Sequence, residues 1–322
     1  MCEVIADNLF EEVLLNPAKE CNKLLVATGY ASATMAYRHI DILKERKLTT
    51  SVEICIGMGV SDGIDIGQHK AFIAMSSEPR NNFICNYLVD LPPMHSKLYI
   101  WLKNDIPKIA FIGSANYTQN AFSNNQREIM SICNPRSSFL YFEMLRPHIK
   151  SCTLENISDF ILLSEKQPSI NILKDVNGIS SGLSKLEHVK ISHLTSQGTL
   201  PSDSSRLNWG YRKNGTKRDH NQAYLQLPPE VYKSDFFPKK PTHFTVLTDD
   251  NKTLICVRAQ KDSDGQCIHT SLNNSELGLY FRNRLGLANG ARVTKSDLMK
   301  YGRTDIDFYK IDEETFFMDF SV

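Results

Sequence analysis

Residues 94–133 constrain this chain more than any other stretch. Met94-His-Ser-Lys-Leu-Tyr-Ile-Trp101 alternates as a strand would, placing His95, Lys97, Tyr99 and Trp101 on one face and Leu98, Ile100 and Leu102 on the other. A histidine beside a lysine is a poor start for a core and a good grip for a phosphate. A turn at Pro107 leads into Ile109-Ala-Phe-Ile112, which stops at Gly113-Ser114. A helix is expected from about Asn116, whose carboxamide and neighbouring N–H groups would favour an anion. Glu128 opens another strand-like run through Cys133. His-x-Lys alone is common on solvated strand faces, and Glu128 alone could be an exposed strand charge. Gly-Ser-x-Asn after an apolar strand tips the balance toward a built site, in which Ser114 serves as turn residue, phosphate ligand or both.

These residues resemble the phospholipase D superfamily signature, His-x-Lys-x(4)-Asp followed by Gly-Ser-x-Asn. The position expected to hold that Asp is Leu102, and Asp105 lies three places too late to replace it. The departure weighs against lipid hydrolysis. It fits a smaller branch, the metal-independent restriction endonucleases of the BfiI and NgoFVII type, which use a later glutamate, and Glu128 fits that place. The resemblance covers about the first half of the chain.

It implies a catalytic set of His95, Lys97, Ser114, Asn116 and Glu128. His95 would attack phosphorus to give a phosphohistidine, splitting one hard displacement into two easier steps. Lys97 and Asn116, joined by Ser114, would hold the phosphate oxygens. Glu128 would orient the imidazole. The chain carries one copy of the motif, so the resemblance implies a homodimer through the nuclease domain, with the partner subunit's His95 as acid and then base. Lysines supply the charge, so no metal and no cofactor is expected, and cleavage should persist in EDTA.

The remaining sequence sets the frame for that motif. A chain of 322 residues exceeds one ordinary core, which predicts two domains. A formal net charge of +1 and 41% hydrophobic residues read as soluble and globular. Near-neutral charge leaves nucleic acid open as a partner, because the clustering of basic residues decides. The eight cysteines form no Cys-x-x-Cys pair and sit mostly in apolar runs, which predicts buried thiols in a reducing cytoplasm. Met-Cys-Glu-Val-Ile-Ala-Asp is acidic where a signal peptide is basic, and no apolar run has the length of a membrane span. His39, His69, His148, His188 and His193 lack metal-ligand spacing.

Strand and helix signals alternate through the first half, with strands at 23–28, 51–56 and 82–87 and helices at 33–47, 68–75 and 137–150. That alternation predicts an α/β layered domain over residues 1–165. Gly57, Gly59 and Gly63 lack the dinucleotide spacing and read as turn glycines. Residues 166–186 have the polar, Ser/Gly/Asn-rich composition of a linker. Short β-type runs then recur at 189–194, 222–227, 243–247, 253–258, 304–309 and 315–320, with a helical insert at 276–285. They predict a smaller barrel-like β domain over residues 187–322.

Residues 206–220 hold five basic residues and one acid, interleaved with aromatics. This run resembles the DNA-reading arm of the B3-like domains that accompany NgoFVII-type nucleases, although such runs are usually mobile hydrophilic loops. The resemblance nominates Arg206, Asn208, Trp209, Tyr211, Arg212, Lys213, Lys217, Arg218, Asp219 and His220 as DNA-binding residues. Gln260, Lys261, Asp262 and Gln266 would form a second arm. The fold class implied is a phospholipase D-like mixed-sheet nuclease domain followed by a B3-like barrel.

The whole then reads as a type II-like, site-specific deoxyribonuclease subunit of a restriction-modification system, with double-stranded DNA as its partner. A separate helicase-like ATPase subunit and a companion methyltransferase belong to the partners such systems use. The chain holds no P-loop motif, so any ATP use would lie with such a subunit. Two other classes stand beside this reading: a phospholipase D-type lipid phosphodiesterase, and a non-catalytic sequence-specific DNA-binding protein that keeps the nuclease fold for dimerisation.

Overall fold

The computed structural model describes residues 4–123, 126–164, 186–195, 197–200, 204–212, 218–259 and 265–322. Lys213, Lys217, Gln260, Lys261, Asp262, Cys2 and positions 166–185 of the expected linker lie outside the described residues. The chain divides into two compact units, Met1–Gln167 and Pro168–Val322.

The first unit has strands Val4–Ile5 (β1), Lys23–Thr28 (β2), Ser51–Ile56 (β3), Ile64–Asp65 (β4), Phe83–Leu88 (β5), Lys97–Lys103 (β6), Ile106–Gly113 (β7), Met130–Cys133 (β8), Ile149–Ser151 (β9) and Leu163–Ser164 (β10). Eight of them form one sheet in the order β1-β8-β7-β6-β2-β3-β5-β9, while β4 pairs with β10. The register is mixed. β2, β3 and β5 run parallel, with helices Ala33–Glu45 (α1) and Ile66–Ser76 (α2) as crossovers, and β6, β7 and β8 run antiparallel beside them. Ser32 caps α1 by accepting from the Met35 N–H at 3.2 Å, and Asp65 caps α2 through Gln68 at 3.0 Å.

The central strands are covered on both faces, so Tyr99 and Trp101, on the same face as Lys97, are fully buried. Their polar atoms are satisfied: Tyr99 donates to Ala115 O at 2.9 Å and Trp101 to Val13 O at 2.8 Å. Leu102 is buried in the same strand. The helix expected over 137–150 occupies Pro135–Leu145 (α4), because Pro147 cannot continue it; the chain then pairs β9 with β5. The helix expected from Asn116 begins at Gln119, capped by Thr118, and runs only to Phe122 (α3).

The second unit is a seven-stranded, barrel-like sheet. Its strands are His188–Ser192 (β11), Leu225–Gln226 (β12), His243–Thr248 (β13), Thr253–Ala259 (β14), Cys267–Thr270 (β15), Asp305–Lys310 (β16) and Thr315–Asp319 (β17). Their order is β11-β16-β17-β13-β14-β15-β12. Aromatic rings fill it: Phe237 lies 4.8 Å from Phe316, 5.3 Å from Phe308 and 5.4 Å from Phe244. The single helical insert expected is one of several helices, since Pro229–Tyr232 and Lys295–Tyr301 join Ser275–Arg284. Lys295–Tyr301 carries a capping box between Thr294 and Asp297 and ends on Gly302 at φ +100°.

Candidate functional site

β2 ends at Thr28 directly opposite Lys97, where β6 begins, so the carboxyl end of a parallel strand meets the His-x-Lys segment. Ligands of open α/β sheets gather at that edge. Gly29 follows. A Cβ built there would lie 2.9 Å from His95 Cδ2 and 3.5 Å from Asn116 Oδ1, so imidazole and carboxamide flank one glycine. The Lys97 ammonium lies 3.2 Å and 3.3 Å from the two imidazole nitrogens of His95 and donates to the His95 carbonyl at 2.9 Å. The expected group of His95, Lys97 and Asn116 is thus brought together on one exposed edge.

The carboxamide of Asn116 has a fixed orientation. Its Oδ1 accepts from the Tyr30 N–H at 3.2 Å and lies 3.3 Å from Thr28 Oγ1. The oxygen is turned into the loop, and the NH2 group is presented the other way as a donor. The Tyr30 ring stands edge-on to the His95 ring at 5.8 Å, and its hydroxyl donates to the Asp62 carboxylate. That bond holds the Tyr30 hydroxyl above the ordinary tyrosine range.

Glu128 sits just before β8 and accepts a hydrogen bond from Ser114. The Ser114 Oγ in turn accepts from the Ile129 N–H at 3.0 Å. Glu128 therefore orients Ser114 here, and among the described residues no hydrogen bond joins it to His95. It does reach Lys97 through space: burial pulls the Lys97 ammonium below the usual lysine range, and the Glu128 charge opposes that pull. Gly113 permits the crossing that brings Ser114 to Glu128. A Cβ at Gly113 would fall 2.1 Å from Ile129 O.

Carbon surface borders the site. Ile112, Ile129, Leu140, Tyr141 and Met144 are 48%, 53%, 59%, 38% and 71% exposed, and the Tyr141 hydroxyl lies 3.3 Å from Ser96 Oγ, between His95 and Lys97 in sequence. Among the described residues no helix is long and apolar enough to cross a membrane.

The predicted arm of the second unit divides into residues that face outward and residues that hold the fold. The Arg206 guanidinium donates to the carbonyls of Ser192, His193 and Leu194 at 3.1, 3.2 and 3.1 Å. Asn208 is buried and closes a two-way amide pair with Val293 at 2.8 and 2.9 Å. Tyr211 stacks on His220 at 4.3 Å, and the Arg218 guanidinium lies 4.6 Å over Trp209. Arg212, Asp219 and His220 are exposed. Gln266 supplies its carbonyl to Leu227 and Gln226, both at 2.9 Å.

Several contributing residues carried no sequence signal strong enough to name them. Thr28, Gly29 and Tyr30 could have been flagged by a Thr-Gly step closing an apolar strand. Arg282 and Arg258, both completely buried, carried no signal in the sequence either. Arg282 donates to Ala291 O at 2.7 Å, Gly278 O at 3.0 Å, Leu207 O at 3.1 Å and His220 O at 3.0 Å. It ties both ends of the first arm to the helix Ser275–Arg284. Arg258 does the same at the root of the second arm, donating to Gly265 O at 2.9 Å, Phe237 O at 3.2 Å and Tyr232 O at 2.6 Å.

The model of the NgoFVII restriction endonuclease N-terminal PLD domain matches residues 7–159, and that of the NgoFVII C-terminal B3-like DNA-binding domain matches residues 182–312. Among solved structures the chain is similar to NucT from Helicobacter pylori, at 17% identity and a TM-score of 0.33, over 46% of this chain and 94% of that one. It is also similar to Nuc from Salmonella typhimurium, a phospholipase D family member, at 18% identity and a TM-score of 0.34, over 47% of this chain and 97% of that one. None of the curated proteins matches.

Proposed function

The chain belongs to the NgoFVII restriction endonuclease family, and from that premise we propose how it cuts DNA. An imidazole nitrogen of His95 attacks the scissile phosphorus; the P–N bond forms as the P–O bond to the leaving sugar oxygen breaks. Water then cleaves the phosphohistidine and frees the enzyme. Lys97 and the NH2 group of Asn116 hold the phosphate oxygens in both steps. Glu128 acts through Ser114 and through its charge on Lys97. No metal takes part, because the ammonium supplies the positive charge at the phosphate.

Leaving-group protonation needs a second acid. A two-fold homodimer through the nuclease domain supplies it, with the partner subunit's His95 as acid and then base. The carbon surface formed by Ile112, Ile129, Leu140, Tyr141 and Met144 beside the site supports that face as the contact. Residues 187–322 read the sequence, residues 1–165 cut it, and the system is of type II-like restriction-modification character. A separate ATPase subunit and a companion methyltransferase are partners for such a chain.

The observation that carries this reading is the convergence of His95, Lys97 and Asn116 around Gly29. Plasmid DNA incubated with the protein in EDTA should be cut, and His95→Ala should leave binding intact while cleavage falls at least about a thousandfold. Denaturing gels under alkaline conditions should trap a DNA-linked chain that acid releases. Cleavage that vanishes on chelation sinks the metal-free step. Hydrolysis of phospholipid vesicles with plasmid untouched would return the assignment to a lipid phosphodiesterase. In sedimentation, Leu140→Lys combined with Met144→Lys should shift a dimer toward monomer.

A further inference from the structure

Outside both predicted arms, one exposed segment of the second unit is fastened far more tightly than a connector requires. Residues 286–294 join the helix Ser275–Arg284 to the helix Lys295–Tyr301. Several of their hydrogen bonds run to Asn208, Tyr211 and Asn221. Tyr211 donates its hydroxyl to Gly290 O, and Asn221 donates to the Asn289 side chain. Asn221 Oδ1 accepts from the Gly290 N–H at 2.9 Å, and Asn208 pairs with Val293 in both directions. Arg282 joins Ala291 O to Leu207 O and His220 O within a single guanidinium. Gly290, at φ +72°, lets the chain pass close to His220, where a Cβ would sit 3.4 Å from the His220 Cβ.

The segment carries Arg292, an exposed residue whose guanidinium lies 4.4 Å over the Tyr211 ring. The other face of the story is the stack beneath: Tyr211 lies 4.3 Å from His220 with only 17° between the rings. Guanidinium, phenol and imidazole therefore form one layered column on the arm's surface. A guanidinium is planar and can grip a phosphate with two parallel N–H bonds. Exposed Arg212 and the Arg218–Trp209 stack add positive charge to the same arm.

We propose that residues 286–292 form a third DNA-contacting element, with Arg292 binding a backbone phosphate beside Tyr211 and His220. The inference rests on the reading of the second unit as the DNA-binding domain. Phosphate contacts position a protein on the duplex and carry no sequence information, so the effect of Arg292 is independent of the DNA sequence. It also has a signature of its own, since each neutralised phosphate releases counterions.

The test uses the full chain on a His95→Ala background, so that the duplex stays intact, and follows binding of a fluorescent mixed-sequence duplex across a sodium chloride series. Arg292→Ala should reduce the slope of log affinity against log salt by about 1 and weaken binding several-fold on every duplex tried. Arg292→Lys keeps the charge and should retain most of the slope. If the parent chain binds and Arg292→Ala keeps its full slope, the third element is overturned while the DNA-binding reading stands. If Arg292→Lys loses as much slope as Arg292→Ala, the residue is a structural prop and the phosphate contact is overturned. A parent chain that binds no duplex overturns both.

Discussion

The two units solve the problem of placing polar groups on a surface in opposite ways. At the His95 edge, the candidate side chains come from strand ends and are steered by small neighbours: a threonine hydroxyl, a backbone N–H and two glycines. In the second unit the surface groups stand on long loops, and a buried guanidinium grips each arm's root by its carbonyls. The first device fixes a few atoms closely and leaves the sheet's stability elsewhere. The second fixes the course of a loop and makes stability and binding inseparable. Cutting needs the former, and gripping an extended duplex needs the latter.

Substitutions that should cost one unit its fold and the other only its chemistry would break this contrast. Arg282→Met leaves four carbonyls without their donor and should cost on the order of 3 kcal/mol, lowering the melting transition of the second unit by roughly 10 °C with loss of DNA binding. His95→Ala should move no transition by more than about 1 °C. Equal shifts from the two variants, read by scanning calorimetry, would remove the distinction.

Acid should strike both units through their buried histidines, His39 and His69 in the first and His193 in the second. Burial pushes His39 down to about 4 and His193 down to about 3. Each is neutral when folded and takes up a proton on unfolding below about 6.5, so the unfolded state binds more protons there. The stabilisation is complete above pH 6.5 and is lost as pH falls through that value toward the folded pKa, by roughly 3 kcal/mol for His39. His39 holds the Tyr117 hydroxyl at 2.9 Å, beside Asn116, so cleavage should fall in the same window as the first unit's stability. Urea titrations between pH 7 and pH 4 that show no slope would refute this.

The smallest effect tests the steering of the site alone. Gly29→Ala should press on the His95 ring and reduce cleavage about ten- to a hundredfold, with the melting temperature nearly unchanged. An alanine variant as active as the parent would show that the imidazole has room to spare.

Much of the first unit was legible because period and punctuation agreed. Lys23–Thr28 and Ser51–Ile56 end where apolar runs meet glycine or polar turns, and the structure ends them there. His95, Lys97 and Asn116 were readable because motif residues sit on consecutive elements of one edge. Thr28, Gly29 and Tyr30 were not, since they reach Asn116 from 86 to 88 residues away in the chain. The short strand at Cys267–Thr270 is too brief for its alternation to stand out, and Lys295–Tyr301 was announced only by its caps. Arg206, Asn208 and Arg282 show the harder limit. A basic or amide side chain in a polar run looks solvated whether it faces water or holds carbonyls inside, and only the fold separates the two.

The lodging of Arg282 has an electrical consequence. Its guanidinium is buried between the helix Ser275–Arg284 and the first arm, bonded to carbonyl oxygens and to no carboxylate among the described residues. Mobile ions cannot gather around a charge so enclosed as they do around one in water. Its charge is therefore less screened by salt than that of a surface lysine, and the nearby Asp219 carboxylate is the charge set against it. A chain with a formal net charge of +1 thus keeps one positive charge inside its second unit, out of reach of salt.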